Sequence, residues 1–307
     1  MANFTAKDVA ELRAKTNCGM MDCKKALVEA DGNFDEAIKI LREKGLAVAG
    51  KKAARIAAEG VVDILVSEDG KTAVMIEVNA ETDFVAKNAS FRDFVKQVEQ
   101  TILENKPATV EDLLKLPLSG SEFTVEASLK DKIFTIGENM SIRRFVIVEG
   151  DVVTYIHGGG VTGVIVKMEC EEGADYAECG KNVALQIAAM NPTYLDKSDV
   201  PASVIESEKE ILAAQIQNDP KLASKPAAVI EKMINGRIEK YYDTNCLLWQ
   251  EYVKDSEYTV GKYVESVAKA QGKAMKVAAF VVYNKGEGLQ KREDDFAAEI
   301  EKLVKKD

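Results

Sequence analysis

The stretch EGVVDILVSEDGKTAVMIEVN, residues 59–79, decides the fold. Two runs rich in Val and Ile flank Asp69-Gly70, a dipeptide typical of a tight turn, so the stretch predicts a β-hairpin. The residues that follow, 89–104, carry apolar side chains spaced for one face of a helix, at Phe91, Phe94, Val95 and Val98. A strand pair followed by an amphipathic helix predicts a small α+β unit.

The same arrangement recurs about ninety residues later, in EGDVVTYIHGGGVTGVIVKME, residues 149–169. Gly150 and Gly160 occupy the places of Gly60 and Gly70, and a predicted helix over residues 181–190 ends at Asn191-Pro192. The pattern predicts two related α+β subdomains that arose by duplication, with residues 142–150 as a strand that leads into the second copy.

The flanking segments are helical in pattern. Residues 1–46 predict three short helices in a bundle that resembles a ubiquitin-associated-type binding module, and Gly45 is the expected stop of its third helix. Two charged segments with narrow apolar stripes predict an antiparallel helical hairpin that projects from the body. The predicted order is a module at 1–46, a linker at 47–58, a first subdomain at 59–141, a second at 142–200 and 255–290, the coiled-coil hairpin inserted at 201–254, and a terminal helix at 291–307.

The composition excludes some classes of function. Among 307 residues, 51 acidic side chains outnumber 41 basic ones for a net charge of −10, which disfavours direct nucleic-acid binding. There is no signal-peptide or transit-peptide pattern and no apolar run of membrane-spanning length. The five cysteines match no zinc or redox spacing, so we expect reduced thiols in a cytoplasmic protein without a membrane partner.

Enzyme signatures are missing from the sequence: it has no Walker loop, no GxSxG and no HExxH. The run His157-Gly158-Gly159-Gly160 precedes a strand pattern, which favours a hairpin tip over a phosphate cradle. We therefore predict no cofactor, no metal site and no catalytic residues. An adaptor that binds unrelated clients, and an enzyme whose site is assembled across the two subdomains, remain as alternatives.

The features that favour binding each have a second interpretation. Phe84, between a strand and a helix, either faces a partner or packs beneath its own helix as a hydrophobic staple. Asp83 either takes part in binding or is a helix-start charge. His157 is either a contact or an inert turn residue. Met20 and Met21 are either bundle core or an adaptable contact surface.

Several stretches resemble one family, bacterial elongation factor Ts. They are LRAKTNCGMMDCKKAL at 12–27, EVNAETDFVAKN at 77–88, KIFTIGENMSIRR at 132–144, the lone histidine His157 at a hairpin tip, and DDFAAEIEKL at 294–303. They occur in the family's order, and the resemblance extends over essentially the whole chain.

The resemblance implies a guanine-nucleotide exchange factor for elongation factor Tu in translation, with no chemical active site of its own. The motif Thr82, Asp83, Phe84 and Val85 would disturb the Mg²⁺ site of the partner, with Phe84 as a wedge and Asp83 positioning polar groups. Partner contacts are further implied for Arg13, Met20, Met21, Lys24, Ile136, Gly137 and His157. The family includes single-subunit and dimeric arrangements, so a homodimer or a 2:2 complex is among the assemblies that the resemblance allows.

Overall fold

The first three helices form a small bundle in the computed structural model, which describes residues 3–16 and 18–290. They are α1 (Ala6–Thr16), α2 (Met20–Glu29) and α3 (Phe34–Lys52). Leu12, Leu27 and Leu41 are buried where the three helices meet. Asn33 caps α3 by accepting a hydrogen bond from the N–H of Glu36. The prediction of three helices is confirmed, whereas the ubiquitin-associated likeness stays a prediction.

Helix α3 is longer than its sequence predicts. It continues through Gly45 to Lys52, so the first half of the predicted linker at 47–58 is helical. The reason is tertiary contact, since Gly45 is buried and a Cβ there would lie 3.5 Å from the Cβ of Phe134 in a later helix. A glycine that permits close helix packing stays helical although isolated propensity disfavours it.

The first sheet contains three antiparallel strands in the order β1 (Glu59–Val66), β2 (Thr72–Ala80) and β3 (Met140–Glu149). Between β2 and β3 the chain forms α4 (Asp83–Ala86), α5 (Ala89–Asn105), α6 (Val110–Lys115) and α7 (Val125–Ile136). The predicted apolar face of α5 is confirmed, because all four of its predicted apolar residues are fully buried.

Strand β3 corrects the predicted subdomain boundary at residue 142. Residues 142–149 pair with β2 from Ile142 to Glu149 and therefore belong to the first sheet, not to the second subdomain. The sequence shows that these residues form a strand, but the choice of neighbouring strand depends on long-range packing that local pattern does not contain.

The second unit begins with β4 (Asp151–His157), β5 (Thr162–Cys170) and α8 (Ala177–Met190). Its helix starts four residues earlier than the predicted start at residue 181 and ends as predicted before Asn191. The helices α9 (Ala202–Gln217), α10 (Pro220–Ala223) and α11 (Ala227–Asn245) follow. Helices α9 and α11 pack together, and on them only Ile216 and Ile238 are buried, so most of this hairpin faces solvent.

The chain then returns to the second sheet. A two-stranded ribbon, β6 (Glu251–Tyr252) and β7 (Asp255–Thr259), leads to α12 (Val260–Gln271) and β8 (Met275–Asn284). Strand β8 pairs with β5, which completes the order β4-β5-β8. The predicted strand within 277–284 is therefore present, although as an edge strand it is only partly buried. The predicted terminal helix at 291–307 lies outside the described residues.

The two sheets correspond closely in backbone detail. Gly60, the second residue of β1, and Gly150, directly before β4, occupy equivalent places and have φ values of 115° and 118°. The middle strand of each sheet carries an irregularity at the equivalent place, between Glu77 and Val78 in β2 and between Lys167 and Met168 in β5. These correspondences support the prediction of two related units.

The two sheets pack against each other through a shared apolar cluster from β1, β2, β4 and β5, which is formed by Val62, Ala73, Met75, Val152 and Ile165. Because β2 is the middle strand of its sheet and is covered on both faces, it is buried along nearly its whole length. Within the described residues, no helix combines the length and the apolar character needed to cross a membrane.

A buried carboxylate also joins the two units. Glu77 on β2 is fully buried and accepts hydrogen bonds from Arg143 (3.0 Å), Arg144 (2.7 Å) and the backbone N–H of Gly286 (2.8 Å). Burial alone raises the pKa of Glu77, but these donors and the Asn79 amide together hold it below its usual value. The ionised Glu77 thus fastens the segment after β8 to the first sheet.

Candidate partner-binding site

The junction between β2 and α4 points two neighbouring apolar side chains in opposite directions. Val85 is 4% exposed and belongs to the first core, whereas Phe84 is 78% exposed. The staple interpretation of Phe84 is therefore wrong, since a staple packs against its own helix. Val85 does not face solvent, so the structure corrects its expected role as a contact residue: it anchors the short helix that presents Phe84.

Asp83 lies beside Phe84 at the first position of α4. Its carboxylate forms an ion pair with Lys87 one turn later, at 2.8 Å, and the Lys87 ammonium lies 5.9 Å from the centre of the Phe84 ring. The hydrogen bond from Lys87 lowers the pKa of Asp83, so the group is ionised at neutral pH. Asp83 is an exposed charge at a helix start, as one interpretation predicts, and it remains accessible for binding.

The same junction is bound to the turn after α7. Thr82 donates from its backbone N–H and its hydroxyl to the carboxylate of Glu138, at 3.0 and 2.8 Å. The N–H of Asn139 donates in return to Glu81 at 2.6 Å. Gly137 ends α7 with a φ of 90°, a left-handed conformation that glycine adopts without strain. Gly137 thereby lies close to the Thr82–Val85 motif, whereas Ile136, one residue earlier, is half-buried and packs against the first core.

The helical bundle approaches this region through the end of α3. The ammonium of Lys52 donates to the carbonyl of Gly137, and the Asn139 side chain donates to the carbonyl of Arg55 at 2.8 Å. The residues expected to contact the partner on α1 and α2, namely Arg13, Met20, Met21 and Lys24, are all exposed. Met20 and Met21 are 45% and 61% exposed, so the interpretation that they form bundle core is wrong.

His157 lies at the end of β4, where the chain turns into β5. Gly158, Gly159 and Gly160 all have positive φ, and the N–H of Val161 donates to the carbonyl of His157 at 3.0 Å. This turn, residues 157–161, is called the glycine turn below. The prediction of a hairpin tip is confirmed. The exposed His157 ring lies with Nδ1 3.0 Å from the hydroxyl oxygen of Tyr155, which orients the imidazole.

Arg92 connects the glycine turn with α4. Its Nε donates to the carbonyl of Ala86 at 2.7 Å, and its Nη2 donates to the carbonyl of Gly159 at 2.6 Å. Phe84 and His157 are therefore carried by two backbone segments that a single guanidinium joins. Sequence reasoning missed both Arg92 and Glu138. Glu138 had a weak signal in its place after Gly137, whereas Arg92 reads as an ordinary polar residue on an amphipathic helix.

The described residues contain no cluster of three His, Cys, Asp or Glu side chains arranged to hold a metal ion. What they do present is an exposed aromatic beside an ionised carboxylate, on a helix that is bound to its surroundings at both ends. They also present two exposed methionines, Met20 and Met21, and the imidazole of His157, which Tyr155 orients. Large exposed apolar side chains on a rigid frame are typical of a surface that binds another protein.

Comparison with known proteins gives the family. The model of the family described as "Elongation factor TS" matches residues 81–287. A protein named elongation factor Ts from Syntrophotalea carbinolica is 48% identical over 98% of this chain and 99% of its own length. Proteins of the same name from Clostridium kluyveri and Clostridioides difficile are each 47% identical, over 98% and 99% of this chain and 99% and 100% of their own lengths.

These matches define a translation elongation factor, and the chain belongs to the elongation factor Ts family. The family is one of nucleotide exchange factors for elongation factor Tu.

Proposed function

We propose that this protein binds elongation factor Tu·GDP and accelerates GDP release by inserting Phe84 beside the partner's Mg²⁺ site. The proposal rests mainly on Phe84, whose side chain is 78% exposed. Phe84 lies on helix α4, and the next residue of that helix, Val85, is fixed in the core. Exposure of a phenylalanine side chain to water is unfavourable in the free protein, and this cost is removed only when a complex buries the side chain. Because the helix is already formed, little conformational entropy is lost on binding.

The energetics determine how much Phe84 can contribute. Weakening GDP binding by about ten-thousandfold requires roughly 5.5 kcal/mol of differential interaction. Burial of one phenylalanine side chain supplies about 1.5–3 kcal/mol. The remainder has to come from contacts that the partner's Mg²⁺ and phosphates lose when its loops move, and from the other binding residues. Phe84 therefore acts by favouring a partner geometry in which the metal ligands are displaced, and it needs no contact with the nucleotide.

The remaining site residues hold the partner while Phe84 acts. The exposed residues Arg13, Met20, Met21 and Lys24 of the helical bundle would grip the GTPase domain. Ile136 and Gly137 extend the surface around Thr82, and His157 approaches the phosphate-binding side. Thermodynamic linkage then requires that GDP weaken the binding of this protein by the same factor by which this protein weakens GDP binding.

A GDP-release experiment tests the proposal. Purified elongation factor Tu is loaded with fluorescent GDP, and dissociation is followed after excess unlabelled GDP is added, with and without this protein. We expect acceleration by the wild type. We expect Phe84→Ala to be slower by roughly ten- to hundredfold, which corresponds to the loss of one buried phenylalanine. Tyr258→Ala, which truncates an exposed aromatic on β7, serves as the matched control and should behave as wild type.

Removing Mg²⁺ separates the wedge mechanism from simple binding. With a chelator present, elongation factor Tu no longer has the metal site that Phe84 is proposed to disturb. The difference between wild type and Phe84→Ala should then shrink. No acceleration by the wild type would leave the adaptor or enzyme interpretation, whereas a difference that persists unchanged without Mg²⁺ would contradict the metal-site part of the proposal.

A further inference from the structure

Arg92 stands between the two elements that carry Phe84 and His157. We propose that Arg92 is a positioning residue that fixes helix α4 relative to the glycine turn, so that Phe84 and His157 meet the partner as one preformed surface. The proposal rests on the proposed exchange function, and the experiment below separates failure of the one from failure of the other.

The geometry of the guanidinium supports this role. Nε and Nη2 of Arg92 donate to the carbonyls of Ala86 and Gly159, at 2.7 and 2.6 Å, while Nη1 lies 3.8 Å from a carboxylate oxygen of Asp63. The donors of a guanidinium lie in one plane at fixed angles, so two simultaneous bonds constrain both direction and distance. A lysine ammonium is a single point on a flexible chain and cannot hold both carbonyls in that relation.

Helix α4 needs such external support. It has only four residues, and a single turn of helix is unstable by itself because nucleation costs more than one hydrogen bond returns. Its start is held by the bonds from Thr82 to Glu138. Its last residue, Ala86, has a carbonyl without an intrahelical partner in so short a helix, and Arg92 supplies the donor. Arg92 thus supports the end of α4 that Glu138 does not reach.

The glycine turn is held on its other side by the first sheet. The carbonyl of Gly160 accepts a hydrogen bond from the N–H of Val62 at 2.9 Å. This contact holds the base of the turn, whereas Gly159 at its tip contacts Arg92. The turn belongs to the second sheet and α4 belongs to the first unit. The Arg92–Gly159 bond, together with the Val62–Gly160 bond, therefore fixes the position of His157 relative to Phe84.

The proposal is tested by combining substitutions and measuring GDP release from elongation factor Tu. We expect Arg92→Ala to slow release by about tenfold and Arg92→Lys to recover only part of that loss, because misplacement of a few tenths of an ångström to one ångström is costly in a preorganised site. Arg237→Ala is the matched control, since Arg237 makes one exposed hydrogen bond to Gln215 on the distant hairpin and its loss should leave the rate unchanged.

The effect of Arg92→Ala is measured in the wild type and in the Phe84→Ala/His157→Ala protein, to distinguish the positioning role of Arg92 from a role in overall stability. If Arg92 acts through Phe84 and His157, adding Arg92→Ala to the Phe84→Ala/His157→Ala protein changes its residual rate little. If Arg92 only sustains the folded population, the substitution slows release by the same factor in both backgrounds, which would overturn the proposal.

Amide hydrogen exchange of the free protein gives a readout that does not depend on the partner. Arg92→Ala should speed exchange at the Lys87 and Val161 amides, which report on α4 and the glycine turn, and leave the β5–β8 amides unchanged. Unchanged protection at both reporters would overturn the proposal even if the wild type accelerates GDP release. A wild type that fails to accelerate release would instead contradict the exchange function, and the amide measurement would still decide whether Arg92 joins the two elements.

Discussion

The carboxylate of Glu138 accepts two hydrogen bonds from Thr82, one from its backbone N–H at 3.0 Å and one from its hydroxyl at 2.8 Å, across 56 positions of sequence. Through this pair the end of α7 holds the beginning of the helix that exposes Phe84. Thr82 does not use its hydroxyl to cap α4 itself, although threonine often does so. Its hydroxyl instead donates to a charged acceptor that lies far away in the sequence.

Removing this acceptor should affect both stability and exchange. Glu138→Ala leaves two donors of Thr82 without their partner, so we expect the free energy of unfolding to fall by about 1–3 kcal/mol and GDP release to slow. Glu138→Gln should lose less, since an amide oxygen still accepts one bond. Thr82→Val removes only the hydroxyl bond and should cost about 1 kcal/mol. Urea unfolding and GDP release measure the two effects, and wild-type behaviour of Glu138→Ala in both would contradict the role of this pair.

Phe84 and Phe91 are a matched pair of phenylalanines, because Phe84 is exposed and Phe91 is buried. Phe91 is fully buried in the first core, so Phe91→Ala should lower the free energy of unfolding by about 3–5 kcal/mol. Phe84→Ala should change it by less than about 0.5 kcal/mol, because an exposed side chain makes few contacts to lose. Urea unfolding of both variants decides the matter: a large loss for Phe84→Ala would mean that the side chain is buried in solution.

Gly160 and Gly70 occupy equivalent places in the turns of the two hairpins but differ in their surroundings. Both have positive φ, yet a Cβ on Gly160 would lie 2.2 Å from Cγ2 of Val61, whereas a Cβ on Gly70 meets open space. Both alanine substitutions incur the left-handed strain of about 1–2 kcal/mol. Gly160→Ala should additionally displace the glycine turn and slow GDP release, while Gly70→Ala should not. Equal stability and equal exchange rates for the two variants would show that the close approach to Val61 has no consequence.

Glu99 on α5 is a buried carboxyl group whose removal should stabilise the protein. It is 2% exposed, and its Oε1 has no hydrogen-bond partner among the described residues. Burial, together with the nearby Asp63, raises the pKa of Glu99 well above its usual value, although Lys96 and Arg92 oppose the shift. We expect Glu99→Gln to raise the free energy of unfolding at neutral pH, because glutamine fills the same space but has no carboxyl group that is held protonated or is ionised in a buried site.

The pH dependence of this gain has a definite sign. As pH rises above the ordinary value of 4.5, the unfolded chain releases the Glu99 proton before the folded chain does, so wild-type stability falls until the folded pKa is passed. Glutamine has no such proton, and the advantage of Glu99→Gln should therefore shrink as pH falls to about 4.5. Urea midpoints at both pH values measure it, with the exposed Glu111→Gln as control. A gain independent of pH would contradict the ionisation argument.

Local pattern predicted the elements that depend on near neighbours. The spacing of apolar residues and the residues of the turns predicted both hairpins, the apolar face of α5 and the three N-terminal helices. Each of these features is specified by residues within a few positions of one another. They also predicted two related units, which the matching glycine conformations and strand irregularities support. The family resemblance drew attention to Thr82–Val85 and His157, and the structure finds Phe84 and His157 exposed at element ends.

Tertiary structure decided the direction of the side chains, the length of helix α3 and the pairing of strand β3. The sequence by itself determined that a strand, a short motif and a helix succeed one another near Phe84, but not which way Phe84 points. Its exposure follows from Val85 filling the core and from Glu138 and Arg92 holding α4 at both ends. The extension of α3 past Gly45 and the pairing of β3 with β2 were likewise decided by distant contacts. Such contacts depend on which surfaces meet after the chain has folded, and no local spacing encodes that choice.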